Sequence, residues 1–170
     1  DILDRISRAG DSAGADLVAA HGFVRGAVVL ATCNRFETYL ELDDPVTGGV
    51  ALAREAVLET VASATGADAA SLRASAVVLS GDDVVRHLFA VSSGLESMVV
   101  GEEEISGQVQ RALKAARDAG TSSTELEQAF QRAARATREV RAKADLAAAG
   151  RSLARLALDL ADTRVADWST

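Results

Sequence analysis

Two extended runs, "VRGAVVLA" (Val24–Ala31) and "ETYLEL" (Glu37–Leu42), stand only a few residues apart, and that closeness constrains the chain more than any other feature. The first run is β-branched and apolar. The second alternates, with Thr38, Leu40 and Leu42 on one face and Glu37, Tyr39 and Glu41 on the other. A link this short joins an antiparallel pair, because a parallel return needs a long crossover. The link carries Thr32, Cys33, Asn34 and Arg35, and Cys33 is the only cysteine in the chain.

Helix signals surround this pair. Ile2–Arg8 reads as a short helix, and Ala15–Ala20 as a second after the glycine-rich "AGDSAGAD". "DDPVTGG" holds the only proline and reads as a loop. Val50–Ala64 is helical by the spacing of Leu52, Val57, Leu58 and Val61, and "ATGADAASL" ends it. "ASAVVLSG" (Ala74–Gly81) reads as a third strand. Ser80 or Asp82 can cap the next helix, "DDVVRHLFAVSSGL", whose apolar stripe is Val84, Val85, Leu88, Phe89 and Val91. Beyond it no strand signal of any strength remains. A helix opens after Gly101 on three glutamates and closes on Lys114, Arg117 and Gly120, charges that complement its dipole. "SSTE" at Ser122–Glu125 matches a capping box ahead of a helix to about Lys143, and a last helix runs from about Gly150 to Ala161. The predicted fold class is α+β: a small, mostly antiparallel sheet with packed helices (ferredoxin-like), followed by a helical half.

A chain of 170 residues suits one domain, or one domain plus part of another, and can bury a core without disulfides or metals. Nothing near Asp1 resembles a signal peptide, and no apolar run approaches the roughly 20 residues needed to cross a bilayer. A reducing cytoplasm is the expected home of a chain with one thiol. The opening on Asp1 and the stop at Thr170 without a closing element fit either a fragment or a chain with further residues at its ends. Net charge is −7, which argues against general electrostatic nucleic-acid binding. The charge is segregated, however. Arg132, Arg135, Arg138, Arg141, Lys143, Arg151 and Arg155 face only Glu139 and Asp145, giving +5 between Phe130 and Arg155 and −12 elsewhere. Such a run is either a solvated helix face or a local phosphate contact surface.

Cys33 is the first candidate for chemistry. Free cysteines are often buried as small apolar side chains. Here Asn34 and Arg35 follow at a strand end, where a turn exposes the thiol and Arg35 can favour thiolate. The local residues leave both readings open. His87 lies in "DDVVRHLF" on an amphipathic helix, as many structural histidines do, and His21 in "AAHGF" looks like a turn residue. One Cys and two separated His give no metal-ligand spacing, and Glu102, Glu103 and Glu104 are consecutive, so they point to different sides of a helix. Neither G-x-G-x-x-G nor G-x-x-x-x-G-K-[ST] occurs, so no nicotinamide site is expected in this chain.

Four segments in register carry a resemblance: "TCNR" at Thr32–Arg35, "HLFAVSSGLESMVVGE" at His87–Glu102, "GQV" at Gly107–Val109 and "FQRAARATREVR" at Phe130–Arg141. Together they resemble the N-terminal catalytic domain of glutamyl-tRNA reductases, over most of the chain from about Val24 to Ala161. The resemblance implies a catalytic, substrate-binding domain over residues 1–145 and, over 146–170, a linker helix leading toward an absent NADPH-binding domain. It implies the first committed step of tetrapyrrole (porphyrin) biosynthesis, in which glutamate on its tRNA is reduced by NADPH to glutamate-1-semialdehyde.

By motif position, Cys33 would attack the aminoacyl ester and form a thioester intermediate, with His87 near the reacting centre as base or orienting group. Thr32, Asn34 and Arg35 would surround the glutamyl group, Arg35 able to hold a carboxylate. Ser97, Glu102, Glu103, Glu104 and Gln108 match substrate-binding positions. The family's usual Glu-Pro-Gln reads Glu102-Glu103-Glu104 here, Phe36 stands where a small hydroxyl residue often follows "CNR", and the family's opening strand has no counterpart before Asp1. The expected partner is glutamyl-tRNA, with the next enzyme of the pathway a further one. No membrane is expected, and a homodimer only for a full-length protein. The chain should keep the thiol chemistry without completing the NADPH-dependent reduction. The alternatives are a non-enzymatic tRNA- or partner-binding module with a structural Cys33, and a stand-alone thiol hydrolase.

Overall fold

The computed structural model describes residues 12–43, 48–97 and 103–144. Among them the order is a helix over 12–20 (α1), strands β1 (Val24–Ala31) and β2 (Phe36–Leu42), then α2 (Gly49–Thr65), α3 (Ala69–Ser75), α4 (Asp82–Ser92), α5 (Glu103–Asp118) and α6 (Thr124–Ala144). The fold is α+β, with an antiparallel sheet under helices and a helical second half. β1 and β2 pair in the register Val28↔Tyr39, Leu30↔Glu37 and Ala31↔Phe36, with an irregularity between Val24 and Gly26.

Alternation decides which side of the sheet is dry. Val28 and Leu30 of β1 and Tyr39 of β2 join Leu88 and Val91 of α4, Ile105, Val109 and Leu113 of α5, and Leu126, Phe130 and Ala133 of α6 in one buried cluster. On β2 the core-facing large residue is therefore Tyr39, while Leu40 and Leu42 on the opposite face are only half-buried. Burying that cluster drives folding; each fully buried large apolar side chain contributes about 1.5–3 kcal/mol.

The turn between α5 and α6 is built to sit on β1. Gly120, at φ 69°, ends α5 in the left-handed conformation that glycine adopts without strain. The next residue, buried Thr121, accepts the Ala27 N–H at 2.8 Å through its carbonyl and donates its hydroxyl to the Ala27 carbonyl at 3.0 Å. One position earlier, a Cβ on Gly26 would lie 2.7 Å from Cβ of Ser123, so only glycine allows this approach. Across α4 and α6, Thr137 Oγ1 lies 2.9 Å from the Ala133 carbonyl, 3.2 Å from Ser92 Oγ and 3.3 Å from Ser93 Oγ.

Several expectations need correction. Residues 76–80, expected as a third strand, take no regular structure, and Val77 is 83% exposed. Their β-branched run has strand propensity but pairs with no described strand. The sheet among the described residues has two strands. The helix near the N-terminus already covers Ser12, Ala13 and Gly14, so part of the glycine-rich stretch is helical. A short helix, α3, was not anticipated; Asp68 caps it by accepting the Ser71 N–H at 2.8 Å. Gly81, not Ser80 or Asp82, occupies the N-cap of α4 without a side-chain cap bond. Val85 is exposed rather than part of the apolar stripe. At α6 the cap is Ser123, whose hydroxyl accepts the Leu126 N–H at 3.3 Å, one residue later than the capping box places it. The expected helices at Ile2–Arg8 and Gly150–Ala161, and the proposed linker 146–170, lie outside the described residues.

Candidate functional site

The link between the strands is the smallest that closes such a hairpin. Ala31 and Phe36 are the last strand pair, and the Thr32 N–H donates to the Arg35 carbonyl at 2.9 Å. Only Cys33 and Asn34 remain at the tip, and both are exposed. Thr32 pins the tip from within: its hydroxyl oxygen accepts the N–H of Asn34 and of Arg35, each at 3.2 Å. Thr32 itself is 8% exposed. Exposure removes the buried-filler reading of Cys33, and the bonds to Thr32 give the thiol a defined backbone to stand on.

Beside this tip lies a group of polar side chains centred on Glu37. Arg35 Nη1 donates to Glu37 Oε1 at 2.9 Å, and His87 Nε2 lies 3.1 Å from the same oxygen. The other oxygen, Oε2, accepts the Tyr39 hydroxyl at 2.6 Å. Tyr39 is buried, and its phenol is pushed far above its ordinary value, first by burial and then by the Glu37 charge, so it stays a donor. Arg35 also reaches across to the segment after α4, where Nη2 donates to the Glu96 carbonyl at 2.6 Å. Ser97, half-buried, follows that carbonyl directly.

Gln108 sits on α5, its side-chain amide donating weakly to exposed Glu104 at 3.5 Å. It lines, with Ala31 and Arg111, a cleft of about 460 Å³ between α1, β1 and α5. The cleft thus reaches the last residue of β1, next to Thr32. Glu102 and the Glu103 side chain lie outside the described residues. On α6, Arg132, Arg135 and Arg138 are all exposed; the side chains of Arg141 and Lys143, and Arg151 and Arg155, lie outside the described residues. Among the described residues no group of three or more His, Cys, Asp or Glu could hold a metal ion, and no helix is long and apolar enough to cross a membrane.

Comparison with known proteins settles which family this geometry belongs to. The family model described as "Glutamyl-tRNAGlu reductase, N-terminal domain" matches residues 2–144. The chain belongs to the glutamyl-tRNA reductase family. A glutamyl-tRNA reductase of Clavibacter michiganensis is 53% identical over 169 residues, covering 99% of this chain and 38% of that protein. One from Kocuria rhizophila is 44% identical over 155 residues, covering 91% of this chain and 36% of that protein. Among solved structures, glutamyl-tRNA reductase from Methanopyrus kandleri superposes with a TM-score of 0.62 at 34% identity, covering 83% of this chain and 31% of that one. The chain therefore spans little more than a third of the length of these curated relatives.

Within this family member the structure joins Arg35 and His87 through a residue that sequence reasoning passed over. In the sequence Glu37 is one residue of an alternating strand. The available signal was Arg35, Glu37 and Tyr39 at successive alternate positions, which places a cation, a carboxylate and a phenol on one face. His87, fifty positions away, could not be attached to it without the fold.

Proposed function

We propose that this chain acts on glutamyl-tRNA by acyl transfer to Cys33. The observation that carries the reading is the exposed thiol at the tip of the pinned Thr32–Arg35 link. The Arg35–Glu37–His87 group beside it supports the assignment. Sγ would attack the ester carbonyl, forming a C–S bond while the C–O bond to the terminal ribose breaks. The thiol proton goes to a base, and the departing ribose oxygen takes up a proton. The products are free tRNA and a glutamyl thioester on Cys33. His87 is the proposed group for this proton traffic.

Residues 1–145 are the proposed substrate-binding catalytic domain and 146–170 its linker helix. Thr32, Asn34, Arg35, Ser97, Glu102, Glu103, Glu104 and Gln108 are proposed to hold the glutamyl group. Among the described residues Arg35 gives one donor to Glu37 and one to the Glu96 carbonyl, of the five N–H donors a guanidinium carries, and the others are proposed to meet a substrate carboxylate. A thioester accepts hydride more readily than an oxygen ester, which suits relatives named reductases and a place in tetrapyrrole synthesis. The residues present do not fit NADPH: no glycine-rich turn of dinucleotide-binding spacing occurs in the sequence. The proposal therefore ends at the thioester, with the reduction left to parts of the relatives that this chain does not span.

The test is mass spectrometry of the intact protein after mixing with glutamyl-tRNA. A hydroxylamine-labile glutamyl adduct on Cys33, absent from Cys33→Ser protein, is the expected result. Release of tRNA at the same rate from both proteins, with no adduct, would sink the proposal.

A further inference from the structure

The Glu37 carboxylate meets three protein side chains, and each of them constrains the site. A carboxylate only accepts, so every neighbour bonded to it must bring a hydrogen. Arg35 brings one to Oε1 at 2.9 Å and Tyr39 one to Oε2 at 2.6 Å. His87 Nε2, 3.1 Å from Oε1, must therefore carry its proton. In a neutral imidazole that leaves the lone pair on Nδ1. We infer that Glu37 is a positioning residue that holds His87 as the Nε2–H tautomer, leaving Nδ1 as the acceptor nitrogen, and ties that ring to the Arg35 end of the Cys33 hairpin.

The anchoring of Glu37 makes this more than a surface ion pair. Its carboxylate is held from below by Tyr39, which is 4% exposed and packs edge-to-face on Phe130 with ring centroids 5.1 Å apart. Raised by burial, the Tyr39 phenol keeps its proton and so keeps donating to Oε2. The side chains of Arg35 and Glu37 are less than a fifth exposed, at 16% and 19%, so water competes little for their bond. His87 comes from α4 and Arg35 from the strand link, so one carboxylate couples two separate elements at the site.

This inference rests on the proposed acyl transfer for its purpose, but its decisive measurement does not. Long-range ¹⁵N–¹H correlation spectra of the histidine rings, at a pH where His87 is neutral, report which nitrogen bears hydrogen. The unmodified protein should show the Nε2–H pattern for His87. Glu37→Gln should keep it, because the amide oxygen can still accept from Arg35 and His87 while the amide N–H₂ donates to Tyr39. Glu37→Ala should show the two tautomers in exchange and form the Cys33 adduct about 10²-fold more slowly, the scale of general acid–base contributions. An unchanged Nε2–H pattern in Glu37→Ala would overturn the inference whether or not any adduct forms. If the pattern responds as expected and no variant is acylated, the acyl-transfer reading fails and the tautomer assignment stands.

Discussion

Tyr39 meets Phe130 edge-on, with 82° between the ring planes, and the hydroxyl of the same tyrosine donates a hydrogen bond to Glu37 at 2.6 Å. One side chain thus joins the core to the polar group beside Cys33. Phe130 is 1% exposed, so Phe130→Ala should cost about 3–5 kcal/mol of stability, readable as a lower urea midpoint. Where the protein still folds, the loosened Tyr39 should also slow adduct formation on Cys33; a rate equal to that of the unmodified protein would separate core from site.

Titration of Tyr39 gives a pH signature. Its folded value is raised above the ordinary value of 10.0, so the unfolded chain releases this proton first as pH climbs. Above that ordinary value the unfolded state binds fewer protons than the native one, and stability falls with rising pH. The contribution is fully present below pH 10, near neutrality included. Urea midpoints measured from pH 9 to 11.5 should drop more steeply for the unmodified protein than for Tyr39→Phe.

Cys33 itself should be dispensable for folding. It is exposed at the hairpin tip and makes no side-chain bond among the described residues, so Cys33→Ser should change stability by no more than about 0.5 kcal/mol while abolishing the adduct. A large stability loss would return the residue to a structural role.

Gly26→Ala tests the seat of the α5–α6 turn on β1. The added Cβ would come within 2.7 Å of Ser123 Cβ and 3.1 Å of its backbone nitrogen, and backbone cannot swing aside as a side-chain end can. A loss of about 1–3 kcal/mol is expected, as for other overpacked sites. Ser123→Gly in the same chain should recover part of it.

The proposed substrate needs a contact surface for the tRNA backbone, and the acyl-transfer proposal puts it on the exposed arginines of α6. Arg132, Arg135 and Arg138 lie on the face opposite buried Phe130, Ala133 and Thr137. Replacing any one with Ala should weaken tRNA binding and reduce the steepness of its salt dependence by about 1. Adduct formation from a small glutamyl ester should be unaffected. Equal salt slopes for all variants would place the tRNA elsewhere.

What could be read from residues alone follows how local each signal is. β1 and β2 were legible because β-branched content and alternation are properties of the strand itself, and the tight link between them followed. α5 and α6 announced themselves by charges and caps at their ends. α3 did not, since it buries none of its residues and so shows no apolar stripe. Ala76–Ser80 misled for the converse reason: a β-branched run forms a strand only with a neighbour to pair with, and none is present among the described strands. At the site, Cys33 and Arg35 were visible by motif, while the junction at Glu37 required knowing that α4 brings His87 to β2.

The register Ala31↔Phe36 also bears on how such a chain can change over time. One residue gained or lost in either strand would turn Glu37 and Tyr39 to the opposite face, carrying Arg35's partner away from His87 and leaving Cys33 on a link of different length. A substitution between Val24 and Leu42 acts at its own position, whereas an insertion or deletion there displaces every side chain beyond it at once. Length variation should instead accumulate in segments such as Ala76–Ser80, where neither strand register nor the thiol's surroundings are at stake.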